Sequence, residues 1–224
     1  MALKLLIANK NYSSWSLRPW LLLKAFDIAF EEQTVLLGDA DFKARIGTHS
    51  PALRVPVLVD GEAVVWESLA IIEHIAERFP DKAIWPSAPV ARAYARAIAT
   101  EMHGGFGALR SAVPMNLWRP IEPRPLSDKA AADLAGIAGR WRAARERFGA
   151  GGDFLFGAFS AADAMYAPVA TRIRTYDLPV DDLTAAYVEA VHAHPAFVEW
   201  KAAALQEEQV LPDDEVDWPV VKRV

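Results

Sequence analysis

Three prolines within ten residues, Pro80, Pro86 and Pro89, mark where the chain changes its hydrophobic rhythm. Proline removes a backbone donor and disfavours helix in the residue before it, so such a cluster separates structural elements. Before it, strand-like and helix-like patterns alternate. Residues 3–8 are a continuous apolar run of strand length, as expected of a strand covered on both faces. A polar loop over 9–14 leads into a helical stretch over 17–26, with Pro19 in its first turn. Residues 29–36 read as a second strand, and 39–45 as a weak helix or loop. The β-rich runs 54–59 and 63–66 flank Asp60-Gly61, a hairpin turn signal. A helix then starts at Ser68 and is stopped by Pro80. The order β-α-β-α-β-β-α predicts a small α/β layer structure.

After the proline cluster the rhythm is helical throughout. Residues 91–108, 128–148 and 184–205 are rich in Ala and Arg with amphipathic spacing. Ser160-Ala161-Ala162-Asp163 has the form of a capping box opening a further helix, which assigns Ser160 and Asp163 to folding. The expected fold class is therefore α/β plus all-α: one domain over 1–80, a linker over 81–89 and a helical domain over 90–224.

Charge and composition exclude several functions. The net charge of −5, from 24 basic and 29 acidic residues, argues against a nucleic-acid binder, which needs a basic patch. There is no cysteine, so no disulfide, thiolate metal site or protein thiol nucleophile exists. That fits a cytoplasmic protein, as does an N-terminus without a secretory pattern; no apolar run approaches the roughly 18 residues of a membrane span. His49, His74, His103, His192 and His194 include no H-E-x-x-H, so no metal site is expected. Gly104-Gly105-Phe106-Gly107 sits within helical pattern and follows no strand, which fails the context of a dinucleotide loop. Glu207, Glu208, Asp213, Asp214, Glu215 and Asp217 make the tail acidic and read as a solvated end.

Three segments stand out in the first domain: Tyr12-Ser13-Ser14-Trp15-Ser16-Leu17-Arg18-Pro19, Ser50-Pro51-Ala52-Leu53-Arg54-Val55-Pro56, and Trp66-Glu67-Ser68-Leu69-Ala70-Ile71-Ile72. In this order and spacing the set resembles the cytosolic glutathione S-transferases, in particular the serine-type zeta and theta classes. The helical half agrees more loosely, through Phe159-Ser160-Ala161-Ala162-Asp163 and its length. The resemblance implies a thioredoxin-like first domain, a helical-bundle second domain and a homodimer. It implies glutathione as co-substrate with no other cofactor, a small electrophile as second substrate, and neither nucleic acid nor membrane as partner.

The chemistry of that family defines what each segment must do. A free thiol with a pKa of about 8.5 is only a few per cent thiolate at neutral pH, and the thiolate is the nucleophile. A hydroxyl donating to the sulfur anion, at a helix N-terminus, lowers that pKa. The resemblance gives this task to Ser13, with Ser14 supporting or substituting; helix capping is the plain alternative for either. The resemblance also implies a cis Val55-Pro56 bond presenting the Val55 backbone to glutathione. Arg54 is placed near the glycine carboxylate, or else is a surface cation. Glu67 and Ser68 open a helix where the γ-glutamyl group would dock, the carboxylate on Ser68 and the ammonium on Glu67. Trp15, Phe106, Met115 and Trp118 are candidates for an apolar wall of the second-substrate pocket, with Arg110 as a candidate cation. Arg110, Arg172 and Arg174 suit an acidic substrate, or else lie on solvated helix faces; Arg18 reads as structural. Zeta-like isomerisation of a small dicarboxylate and a non-catalytic binding or dimerisation module remain the alternatives to transfer.

Overall fold

The computed structural model describes residues 2–216. Its first domain is built on a four-stranded mixed sheet of order β2-β1-β3-β4. The apolar run forms β1 (Leu3–Ile7), which pairs in parallel with β2 (Phe30–Thr34) and antiparallel with β3 (Val57–Asp60). β3 returns through Gly61 (φ 62°) into β4 (Ala63–Trp66), as the Asp60-Gly61 signal predicts. Flanking this sheet are α1 (Ser14–Ala25), a short α2 (Phe42–Gly47) and α3 (Ser68–Arg78). Leu5, Leu6 and Ile7 are fully buried, which is why β1 carries no alternation.

The second domain contains α4 (Pro89–Gly104), α5 (Gly107–Ala112), α6 (Asp128–Phe148), α7 (Ala161–Thr175), α8 (Asp182–Ala193) and α9 (Pro195–Ala204). α7 is its centre: nearly every side chain is buried, including Arg172, and it packs against α1, α4 and α8. A helix buried on nearly every face is an interior helix, and its few polar side chains must be paired. One continuous core runs from Leu5, Leu17 and Leu21 of the first domain to Met165, Tyr166 and Trp200 of the second. None of the described helices is long and apolar enough to cross a membrane.

Several elements differ from expectation for local reasons. α1 starts at Ser14 because the Ser13 hydroxyl accepts from the Ser16 N–H at 3.3 Å, so Pro19 falls in the second turn. The helix expected over 91–108 is two helices: Gly105 is extended and Phe106 is left-handed (φ 57°). The stretch 184–205 breaks at His194-Pro195, where the His194 ring caps α9 from its own N-cap position. The acidic tail is only partly a solvated end: Glu208 and Asp213 are exposed, but Glu207 and Glu215 turn inward. Glu207 accepts from the backbone of Lys10 and Asn11, and the 7%-exposed Glu215 side chain accepts from Tyr12, Asn116 and Arg119. Asp217 lies outside the described residues.

Candidate active site

The chain leaves β1 through a loop, residues 9–13, that delivers Ser13 to the N-cap of α1. The Ser13 Oγ lies 2.8 Å from the Ser16 Oγ, which also accepts from the Ala8 N–H at 3.1 Å. Ser14 follows as the first helical residue, and its hydroxyl bonds no other described residue. Both serines line a cavity of about 490 Å³ with Tyr12, Trp15, Arg54, Val55, Arg110, Met115, Arg172 and Asp214 on its wall. A second cavity of about 380 Å³ adjoins it, sharing Trp15, Arg54, Val55 and Arg110 and adding Pro56, Trp66, Glu67 and His103. The Val55-Pro56 bond between them is cis.

The electrostatics of this cleft are cationic. Arg18 and Arg110 place their guanidinium carbons 4.2 and 4.7 Å from the centre of the Trp15 ring. Burial, then the neighbouring Arg172 and Arg110, holds the Arg18 guanidinium well below its ordinary range. Burial, then Arg110, brings Arg172 to about 10, and burial lowers Arg110. A guanidinium is a fixed cation in proteins, so Arg110 and Arg172 on the cavity wall favour an anion in the cleft. Arg172 is anchored by donating to the carbonyls of Val113 (2.9 Å) and Pro168 (3.1 Å). Burial, then Arg18, lowers the His103 pKa, and its imidazole stands edge-on to Trp15 with Nε2 3.3 Å from the Glu67 carboxylate. Glu67 itself has φ 71°, a conformation costly for a residue with a side chain and concentrated at functional sites.

This juxtaposition of a serine-capped helix, a cis-proline turn and an acid at the start of α3 falls within one matched family domain, and a second matched domain covers much of the helical half. Residues 12–78 match "Glutathione S-transferase, N-terminal domain" and residues 127–203 match "Glutathione S-transferase, C-terminal domain". The chain belongs to the glutathione S-transferase family. A protein of Caenorhabditis elegans named "Probable maleylacetoacetate isomerase" is 38% identical over 102 residues, 46% of this chain and 47% of that one. The curated relatives it matches are thus aligned over at most about half their length. A glutathione transferase homolog from Burkholderia, solved with bound glutathione, superposes with a TM-score of 0.70 at 21% identity, covering 92% of this chain and all of the other. Human glutathione S-transferase T1-1 in its apo form gives 0.64 at 22% identity, over 92% and 90%. At such identity these two likenesses speak for the fold alone.

Within this transferase-family cleft the structure brings together Ser13, Ser14, Trp15, Arg54, Val55, Glu67, Arg110 and Met115. Four expected residues lie elsewhere. Trp118 is buried in a cluster with Tyr12 and Leu211, and its indole donates to the Ala204 carbonyl. Phe106 lines neither cavity; it packs on the core and under the Arg140 guanidinium, because the left-handed turn between α4 and α5 redirects it. Ser68 is fully buried and turns its hydroxyl inward, 3.4 Å from Arg18 and 4.0 Å from the Met165 sulfur. Arg174 pairs with Glu189 at the surface. Arg172 is the converse case: it is a wall of the cleft, and the signal for it is an Arg soon after the Ala-rich, largely apolar stretch 164–170. Asp214 had no local signal at all.

Proposed function

We propose that this protein binds glutathione, holds its sulfur as the thiolate through Ser13, and directs it at a small electrophile in the larger cavity. The observation that carries this reading is the Ser13 hydroxyl at a helix N-cap, on the wall of a cleft bordered by Arg110 and Arg172. Rotation of two hydroxyls supplies the proton. Ser16 Oγ keeps its bond from the Ala8 N–H while its own hydrogen turns to Ser13, which frees the Ser13 hydrogen for the sulfur. Each donor polarises the next, and the N-terminus of α1 adds partial positive charge. The thiol proton leaves to solvent. The sulfur lone pair forms the new C–S bond as the leaving group departs with its bonding electrons.

The smaller cavity, with the Val55 backbone, Arg54 and Glu67, suits the peptide part of glutathione. Domains over 1–80 and 90–224 joined by 81–89, homodimerisation and a cytoplasmic setting belong to the same reading and rest on the family likeness. The deciding experiment compares wild type and Ser13→Ala for thiolate absorbance of bound glutathione against pH and for turnover of an aryl halide. An unchanged thiol pKa and unchanged turnover would remove the role of Ser13. Tight binding with an unshifted thiol in the wild type would indicate a binding module.

A second reading is isomerisation of a small dicarboxylate by reversible thiolate addition. Arg110 and Arg172 on the cavity wall favour it, since guanidinium forks suit carboxylates, and the partial relative named as a probable maleylacetoacetate isomerase points the same way. Turnover of maleyl-type acids against aryl halides separates the two.

A further inference from the structure

The loop that carries Ser13 is held in large part by the other end of the chain, beside bonds between Asn11 and residues 116–118 and between Asn9 and Leu37. Between β1 and α1, Asn9 and Asn11 are fully buried and Lys10 is 8% exposed, so their backbone amides need partners inside the protein. The Glu207 carboxylate supplies two of them, taking the Lys10 N–H on one oxygen at 2.6 Å and the Asn11 N–H on the other at 2.9 Å. Gln209 accepts from the Asn9 side-chain carboxamide at 2.7 Å, and the Trp200 indole donates to the Lys10 carbonyl at 2.9 Å. Two residues on, the Tyr12 hydroxyl donates to Glu215 at 2.8 Å, and Glu215 is fixed in turn by Asn116 (2.9 Å) and Arg119 (2.6 Å). Asn9 also closes the loop on itself, its carbonyl accepting from the Ser13 N–H at 2.8 Å. Any shift of residues 9–12 is therefore passed to Ser13.

We propose that Glu207 and Glu215 are positioning residues for thiol activation. The segment after α9 forms a clasp whose two carboxylates set the backbone of the 9–13 loop, and through it the reach of the Ser13 hydroxyl to sulfur. This rests on the reading of Ser13 as the thiolate donor. A carboxylate receiving two amides holds both in one plane and is charge-assisted on each side. A carboxamide in its place offers one acceptor oxygen, and its NH2 faces the second amide. Burial raises the Glu207 pKa, and the Asn11 and Lys10 amides pull it back.

The test uses the full chain with Glu207→Gln, Glu215→Gln, the milder Tyr12→Phe, and Ser13→Ala as reference. For each, the melting temperature, the thiolate absorbance of bound glutathione against pH, and kcat and KM against pH are measured. Glu207→Gln and Glu215→Gln are expected to raise the pKa of bound thiol and lower kcat about tenfold at neutral pH, within the roughly hundredfold that an ångström of misplacement costs. Activity should recover at alkaline pH, where thiolate forms unaided, with KM for glutathione changed less than kcat. Tyr12→Phe should move the same way by less. Should a glutamine variant fail to fold, Tyr12→Phe carries the test alone. A wild-type thiol pKa and pH profile in folded clasp variants, with Ser13→Ala still losing the shift, overturns the clasp and leaves the serine reading intact. A wild-type thiol pKa in Ser13→Ala overturns the serine reading, whatever the clasp variants do.

Discussion

Two helices of this protein open on the same local device and put it to different uses. α1 is capped by Ser13 with Ser16 three residues on; α7 is capped by Ser160 with Asp163 three residues on. At α7 everything is spent internally. The Asp163 carboxylate takes the Ser160 N–H (2.8 Å), the Ser160 hydroxyl (2.8 Å), the Leu155 N–H (3.0 Å) and the Tyr187 hydroxyl (3.0 Å), with the group fully buried. At α1 the partner at the fourth position is a second hydroxyl, which neither consumes the Ser13 proton irrevocably nor adds charge, and the cap borders a cavity. A cap with a carboxylate partner is a lock; a cap with a hydroxyl partner keeps a donor that a ligand can recruit.

The strongest challenge to that contrast is Asp163→Ala. It orphans two amides and the Tyr187 hydroxyl, and about 3–9 kcal/mol of stability should go in urea unfolding, at roughly 1–3 kcal/mol per buried donor. The thiol pKa of glutathione bound to the folded fraction should not move; a moved pKa would make α7 part of the chemistry. Next, Ser13→Ala should lower kcat at neutral pH about 100-fold, the scale of losing one donor to a developing anion. Its stability should fall only by the roughly 1 kcal/mol of a cap. Third, Arg172→Met should raise KM for a dicarboxylate about tenfold and leave an uncharged aryl halide within about twofold, because a charged hydrogen bond is worth roughly 1.5–3 kcal/mol; equal effects on both would remove Arg172 from substrate recognition. Burial also gives Asp163 a pH signature. Its pKa is pushed up to about 6 against the pull of its donors, whereas the unfolded carboxyl titrates near 4. Between those values the native state holds more protons, so this group's contribution makes stability fall as pH rises through the window. The difference between wild type and Asp163→Ala, followed by urea midpoints, should show that slope. Ser160→Ala, the smallest change, should cost about 1 kcal/mol and leave turnover unaltered.

Much of the fold was legible because periodicity and punctuation act locally. The buried β1, the Asp60-Gly61 hairpin and the amphipathic α6 over 128–148 follow from residues within a few turns or one strand of each other. Expectations failed where a few residues outweighed a long pattern: Gly105-Phe106 split one helix and His194-Pro195 another. In the cleft, residues on the loops themselves were readable, whereas those whose side-chain direction depends on packing were not. Trp118 turned into the core, Ser68 turned inward, and Arg172 turned out to face the cavity rather than solvent.

Taken alone, the amino-acid sequence determined the α/β-then-helical architecture, the family, and the presence of a serine at the head of α1, since these depend on spacing along the chain. Tertiary structure alone decided that an acidic tail folds back some 200 residues to seat the first loop and that three arginines converge on one cleft. Charge in a sequence says nothing of whether water or a buried amide will receive it; that is settled only when distant segments meet and desolvation forces each polar group to find a partner.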